Sequence, residues 1–189
     1  MSEDEYLAFD DATPGKHWYA NGQIYAMAGG TPRHSAICAN VGAALNRIVA
    51  KRKCLVFQSD LRVQVAETKL YNYPDVTIVC GPIERHPKSR NTVVNPTLIV
   101  EVLSKATEAD DRGAKSTHYR ALSSLKEYLL VSTSGEHIEH FRRLDDGKWL
   151  LTEAHGRAAS IELPALEGVL SLADVYDKTE LIDGDEEDV

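Results

Sequence analysis

The chemically most informative residue in the sequence is Glu101, a lone carboxylate inside the run Leu98-Ile99-Val100-Glu101-Val102-Leu103. An ionised side chain among apolar neighbours costs several kcal/mol unless something neutralises it. Asp75 is its natural counterpart. It follows Pro74, which fixes the approach of the chain, and opens a second β-branched run, Val76-Thr77-Ile78-Val79-Cys80. If the two runs pair as strands, their carboxylates converge. Two hard oxygen anions at one point suit Mg²⁺ or Mn²⁺, which keep water and phosphate oxygens in their remaining positions. The implied chemistry is metal-assisted hydrolysis of a phosphodiester. Lys115 is the candidate cation that orients the attacking water and offsets charge developing on the phosphate. It belongs to the helix expected after the Glu101 run, on a face shared with Arg112 and Tyr119. Each residue also has a plain structural reading: Glu101 paired with Arg62 or a histidine, Asp75 capping a turn, Lys115 paired with Asp111.

The elements that must position these groups are legible as patterns. Strand periodicity puts Ile99, Glu101 and Leu103 on one face and Leu98, Val100 and Val102 on the other. After the break Gly29-Gly30-Thr31-Pro32, the apolar positions Ile37, Val41, Ala44, Leu45 and Ile48 predict an amphipathic helix from about His34 to Lys51. Extended segments are predicted at Gln23 to Met27, Leu55 to Phe57, Leu61 to Val65 and Tyr128 to Ser132. Thr107 with Asp110 resembles a capping box opening a helix to about Leu122. His137 to Phe141 and Trp149 to Thr152 read as a hairpin turned at Asp145-Asp146-Gly147. This order predicts an α/β or α+β fold, a mixed sheet flanked by helices.

The whole chain sets bounds on these readings. Its 189 residues suit one core, and a single domain over residues 12–182 is expected between acidic segments at 1–11 and 183–189. The net charge of −8 argues against a nucleic-acid partner until its distribution is counted. Residues 1–11 and 183–189 hold five acids each, so the span between carries 21 basic against 19 acidic residues and a net +2. The acidity is therefore terminal and expected in mobile tails. Basic clusters stand at Arg47 with Lys51 to Lys53, at Arg85, Lys88 and Arg90, and at Arg112, Lys115 and Arg120. No apolar stretch reaches a membrane span, the N-terminus is acidic where a secretory leader is basic, and a cytoplasmic location is expected. Cys38, Cys54 and Cys80 match no CxxC spacing, so reduced thiols are expected. His118, His137 and His140 lack an HxxxH partner and read as surface or sheet residues.

Several motifs in order carry a more specific likeness. Tyr73-Pro74-Asp75-Val76, Pro96-Thr97-Leu98-Ile99-Val100-Glu101-Val102-Leu103-Ser104, Asp111-Arg112-Gly113-Ala114-Lys115 with Tyr119, and Glu127-Tyr128-Leu129-Leu130-Val131 resemble the successive motifs of the Uma2 endonuclease family in the PD-(D/E)XK superfamily. The likeness runs from about Gly22 to Val175. It implies a restriction-endonuclease-like fold, metal ligands at Asp75 and Glu101, Mg or Mn as cofactor, and DNA as substrate. Where the superfamily's name expects lysine, two residues after Glu101, this chain has Leu103, and the carried-over lysine is Lys115. Pro32-Arg33-His34 resembles the family's N-terminal motif, which makes His34 a candidate for contacting phosphate or assisting the base. Gln58, with Asp60, is a candidate for lining the cleft, and Arg112 and Tyr119 for binding nucleic acid. Cutting both strands of a duplex needs two sites, so a homodimer is expected. The competing expectation is a nuclease fold that no longer cuts and binds nucleic acid or a protein partner. Leu103 and the modest basicity of the core favour that alternative, and the intact Asp75, Glu101 and Lys115 set favours catalysis.

Overall fold

The computed structural model describes residues 1–27 and 29–182, so the acidic stretch at 183–189 lies outside the described residues. The chain begins with α1 (Glu3–Ala12), β1 (His17–Ala20), β2 (Gln23–Ala26) and α2 (Pro32–Val49). Seven strands follow: β3 (Cys54–Gln58), β4 (Arg62–Val65), β5 (Leu70–Asn72), β6 (Val76–Cys80), β7 (Arg85–His86), β8 (Ser89–Val93) and β9 (Leu98–Val102). Two helical turns, α3 (Glu108–Asp110) and α4 (Ser116–Tyr119), precede β10 (Glu127–Val131), β11 (His137–Arg143) and β12 (Trp149–His155). A small hairpin, β13 (Ser160–Leu163) with β14 (Gly168–Ser171), and the turn α5 (Leu172–Val175) complete the chain.

The central sheet is mixed, in the order β12-β11-β10-β9-β6-β3, with β9 and β10 parallel and its other pairs antiparallel. One face packs on α2, α5 and the β13–β14 hairpin, where Leu98, Val100 and Val102 join Ile37, Val41, Leu45 and Leu170. The other face carries Ile99, Leu103, Tyr128 and Leu130 against Val63, Leu70, Val93 and Tyr119 from the second sheet and α4. That second sheet runs β2-β1-β5-β4-β8-β7. The division of β9 matches the period-2 reading, and it follows from a strand buried on both sides. The fold is a mixed α+β arrangement of large sheets flanked by helices, as expected.

Helix α2 begins where the sequence supplies its signals: the Thr31 hydroxyl accepts from the His34 N–H at 3.2 Å, and Pro32 occupies the first turn. It ends at Val49, so Lys51, Arg52 and Lys53 lie in the turn beyond it. The expected hairpin is longer than predicted, pairing His137 with His155 through to Arg143 with Trp149. Its turn closes through the Leu144 N–H on the Lys148 carbonyl, with Gly147 at φ +83°.

Three expectations are corrected. The acidic N-terminal segment is a docked helix: Ser2 and Glu5 form a capping box, Tyr6 is fully buried, and Asp10 binds Arg62 in the interior. Its acids cap, pair and anchor, which a reading of charge alone cannot distinguish from a solvated tail. The helix expected from Thr107 to Leu122 is interrupted by a π-turn over Asp111–Lys115, and Thr107 caps nothing with its side chain; its hydroxyl meets that of Ser104 at 3.0 Å. Finally, Cys54 and Cys80 are joined in a disulfide, leaving Cys38 as a half-buried free thiol. The two stand opposite each other where β3 pairs with β6, with Cα atoms 4.0 Å apart, a relation that sequence spacing does not contain. Among the described residues no helix is long and apolar enough to cross a membrane.

Candidate active site

The chain passes from β5 in one sheet to β6 in the other through Tyr73-Pro74-Asp75, so Asp75 stands at the seam. Antiparallel pairing of β6 with β9 then brings it to Glu101. The backbone locks the two together. Asp75 Oδ2 accepts the Val102 N–H at 2.8 Å, while the Asp75 N–H points to Glu101 Oε2 at 3.4 Å. Glu101 is 3% exposed, and its Oε1 accepts from the Tyr119 hydroxyl at 2.8 Å and from the Asn72 amide at 3.1 Å. Lys115 Nζ bonds Asp111 at 2.6 Å and lies 3.9 Å from Glu101, close enough for electrostatic attraction but too far for a hydrogen bond.

His34, Asp75, Glu101, Asp111 and Lys115 line a single cavity of about 100 Å³. It adjoins a larger cavity of about 400 Å³ that shares His34 and Asp75 and adds Lys16, Cys38 and Ser59. Formally, three carboxylates around one ammonium leave a surplus of two negative charges. Burial pushes the Glu101 carboxyl up to about 8, with Lys115 pulling it back and Asp111 and Asp75 adding to the rise. Burial works against the charge on Lys115, but Glu101 and Asp111 outweigh it and hold the ammonium up at about 12. His34 Nε2 sits 3.4 Å from Asp75 Oδ2; burial opposes its protonation, and Asp75 raises its pKa nonetheless. Burial and the nearby Asp75 and Glu101 push the Cys38 thiol up as well. A divalent cation fits this setting on its chemistry: hard oxygen donors, a formal double negative surplus, and a carboxyl that burial and its acidic neighbours keep from ionising readily.

The structure thus gathers Asp75, Glu101, Lys115 and His34. Tyr119 joins them through Glu101, whereas Gln58, Asp60 and Arg112 stand apart. Gln58 ends β3 opposite Val76, but its exposed amide lies over Gly42 of α2. Asp60 pairs with Lys16 at 2.7 Å. Arg112 turns away from Lys115 and holds Glu108 at 2.8 Å and Glu139, because the π-turn breaks the i,i+3 alignment a regular helix would give. Tyr119, expected to reach nucleic acid, is fully buried, so its role there is corrected: its hydroxyl is spent on Glu101. Arg62 is not the partner of Glu101; it binds Asp10 and Asp11.

The family model described as "Uma2: Putative restriction endonuclease" matches residues 3–174. The chain belongs to the Uma2 family. Two uncharacterized Synechocystis proteins are similar to it over most of their length. With slr1290 it is 40% identical over 151 residues, 80% of this chain and 78% of that protein. With sll1609 it is 34% identical over 158 residues, 84% and 89%. A crystal structure from Anabaena variabilis, described as a "putative nuclease belonging to DUF820", has the same fold, with a TM-score of 0.77, 18% identity, and coverage of 93% of this chain and 97% of that one. The restriction-endonuclease-like class and a nuclease-like function follow for this Uma2 chain.

Sequence reading missed Asn72, Asp111 and Cys38 as members of the site. Asn72 carried the clearest available signal: an amide in an otherwise apolar and aromatic strand, three residues before Asp75. Its Nδ2 also reaches the Tyr119 hydroxyl, at 2.6 Å. Asp111, in the sequence a partner for Lys115, is 1% exposed.

Proposed function

We propose that this Uma2 chain is a Mg²⁺- or Mn²⁺-dependent endonuclease that hydrolyses phosphodiester bonds in DNA. The reading rests above all on Glu101, a carboxyl 3% exposed whose nearest cation stands 3.9 Å away, beside Asp75 in one cavity. Such a group is costly to ionise in the absence of a cation that occupies the cavity, because Asp75 and Asp111 already stand beside it. Asp75 and Glu101 would hold that ion, which when bound supplies Lewis-acid activation of a water and of the scissile phosphate.

The remaining residues have work of their own. Tyr119 and Asn72 fix the rotamer of Glu101 by donating to Oε1, leaving Oε2 toward Asp75. The Val102 N–H does the same for Asp75. Lys115, held as an ammonium with its pKa about 12, acts as a charge: it steers the attacking water and offsets negative charge gathering on the phosphate, and it does not serve as a base. His34, 3.4 Å from Asp75 Oδ2 and lining both cavities, would donate to a phosphate oxygen. Two copies of the chain would offer one such site to each strand of a duplex, and sedimentation at micromolar concentration tests that pairing.

The deciding experiment is plasmid nicking with and without millimolar Mg²⁺ or Mn²⁺, run beside thermal melting in the same buffers. Metal-dependent nicking and a metal-dependent rise in melting temperature are expected for the wild type, and both are expected to vanish in Asp75→Ala. A wild-type protein that neither cuts nor melts higher with metal would overturn the reading. A melting response without any cleavage would leave a metal-binding nuclease fold that serves as a binding module.

A further inference from the structure

On the far strands of the central sheet a second set of ligand-bearing side chains meets, one that sequence spacing does not reveal. His137 on β11 stands opposite His155 on β12, and Glu153 lies two residues before His155, so strand alternation puts all three on one face of the hairpin. The two imidazoles stack with centroids 4.1 Å apart and planes 6° from parallel. His137 Nε2 is 3.0 Å from Glu153 Oε1, and His155 Nε2 is 4.0 Å from that same oxygen. One donor atom from each side chain therefore falls within 4.8 Å of the other two. As a hydrogen-bonded cluster this is incomplete, because 4.0 Å leaves His155 without a bond to the carboxylate.

We propose that His137, Glu153 and His155 form a Zn²⁺ site, with water filling the remaining coordination position. Two imidazole nitrogens and a carboxylate oxygen are the donor set of open zinc sites. Mg²⁺ and Ca²⁺ prefer oxygen alone, so this site selects a different class of ion from the Asp75 and Glu101 pair. Side-chain exposures of 24%, 46% and 67% give the ion direct entry from solvent. The site shares a sheet face with Glu101: the register runs Glu101 to Leu130, Leu130 to Glu139 and Glu139 to Glu153. Three strand steps of about 4.8 Å place it roughly 14 Å away along the sheet, with Arg112 bound to Glu139 between the two. The site stands whether or not the chain cuts DNA.

The test titrates the wild type, Asp75→Ala, His155→Ala and Glu153→Gln with ZnCl₂ by calorimetry, and with CoCl₂ by visible absorption. The Asp75→Ala arm removes the neighbouring His34, Cys38 and Asp75 cluster as a competing site. The expected result is a zinc equivalent that persists in Asp75→Ala and weakens by about tenfold or more in His155→Ala and Glu153→Gln. Because these side chains are exposed, metal-free melting of the variants should match the wild type. Zinc binding unchanged in His155→Ala, or no binding by the wild type at micromolar zinc, overturns the proposal.

Discussion

Adjacent residues Asn72 and Tyr73 reach into two different buried ionic clusters, and the contrast between these separates structural charge from charge held for chemistry. The Tyr73 hydroxyl donates to Asp10 at 2.6 Å, in the cluster centred on Arg62. There the fully buried guanidinium is saturated: Nε bonds Thr92 at 2.8 Å, one terminal nitrogen bonds Asp10 at 2.5 Å, and the other bonds Asp11 and Ser89, each at 2.9 Å. Asn72 instead donates to Glu101, in a cluster where the cation stands off at 3.9 Å and three carboxylates share one ammonium. Both clusters are densely hydrogen-bonded. Formally the first sets two carboxylates on one guanidinium and the second three on one ammonium, so the second carries the larger surplus, and it lines a cavity.

The comparison breaks most decisively at Arg62. Arg62→Met strands Asp10 in the interior and should cost about 3–5 kcal/mol in urea unfolding, without altering the metal-induced melting shift of the protein that remains folded. Asp75→Ala should behave in the opposite way, lowering metal-dependent nicking by more than about a hundredfold while costing a smaller amount of metal-free stability, about 1–3 kcal/mol, through the Val102 N–H it leaves unpaired. Loss of the metal response in Arg62→Met, or its survival in Asp75→Ala, would erase the distinction between the clusters.

Acidity sharpens it next. Unfolded, Glu101 ionises near 4.5; in the metal-free fold, burial pushes it to about 8. Between those values the folded state keeps a proton that the unfolded chain has released, so this residue makes metal-free stability fall as pH rises across the window. Glu101→Gln should remove that fall, and the slope of melting temperature between pH 5 and 8 should be flatter than in the wild type; an unchanged slope would place the titration elsewhere. The smallest effect belongs to Tyr119→Phe. Losing one hydrogen bond to a buried carboxylate should cost about 1–3 kcal/mol. It also removes a donor that favours the ionised form, so the pH at which metal begins to raise the melting temperature should move upward. A shift downward would mean that Tyr119 does not bond the ionised Glu101.

Much of the frame and part of the site were legible because they depend on near neighbours in the chain. The alternation around Glu101 fixes its face, the Thr31 and Pro32 signals start α2, and a carboxylate in an apolar strand announces itself. What stayed hidden depends on partners chosen by the fold. The acids of α1 look like a tail until Arg62 arrives from β4, 52 residues beyond Asp10. Cys54 meets Cys80, and His137 meets His155, only through strand register. A regular helix would set Arg112 beside Lys115, and the π-turn over Asp111–Lys115 leaves it on Glu139 instead.

The Cys54–Cys80 bond turns the chain between them into a closed covalent ring with Asp75 inside it, the two cysteines being 26 positions apart. Lys69, at φ +55° and with its side chain 67% exposed, is a trypsin-accessible corner of that ring. A clip after Lys69 would yield two fragments that run as one band on a non-reducing gel and separate on reduction. Such nicked protein should keep His34, on the first fragment, beside Asp75, on the second, until a reductant lets the pieces part.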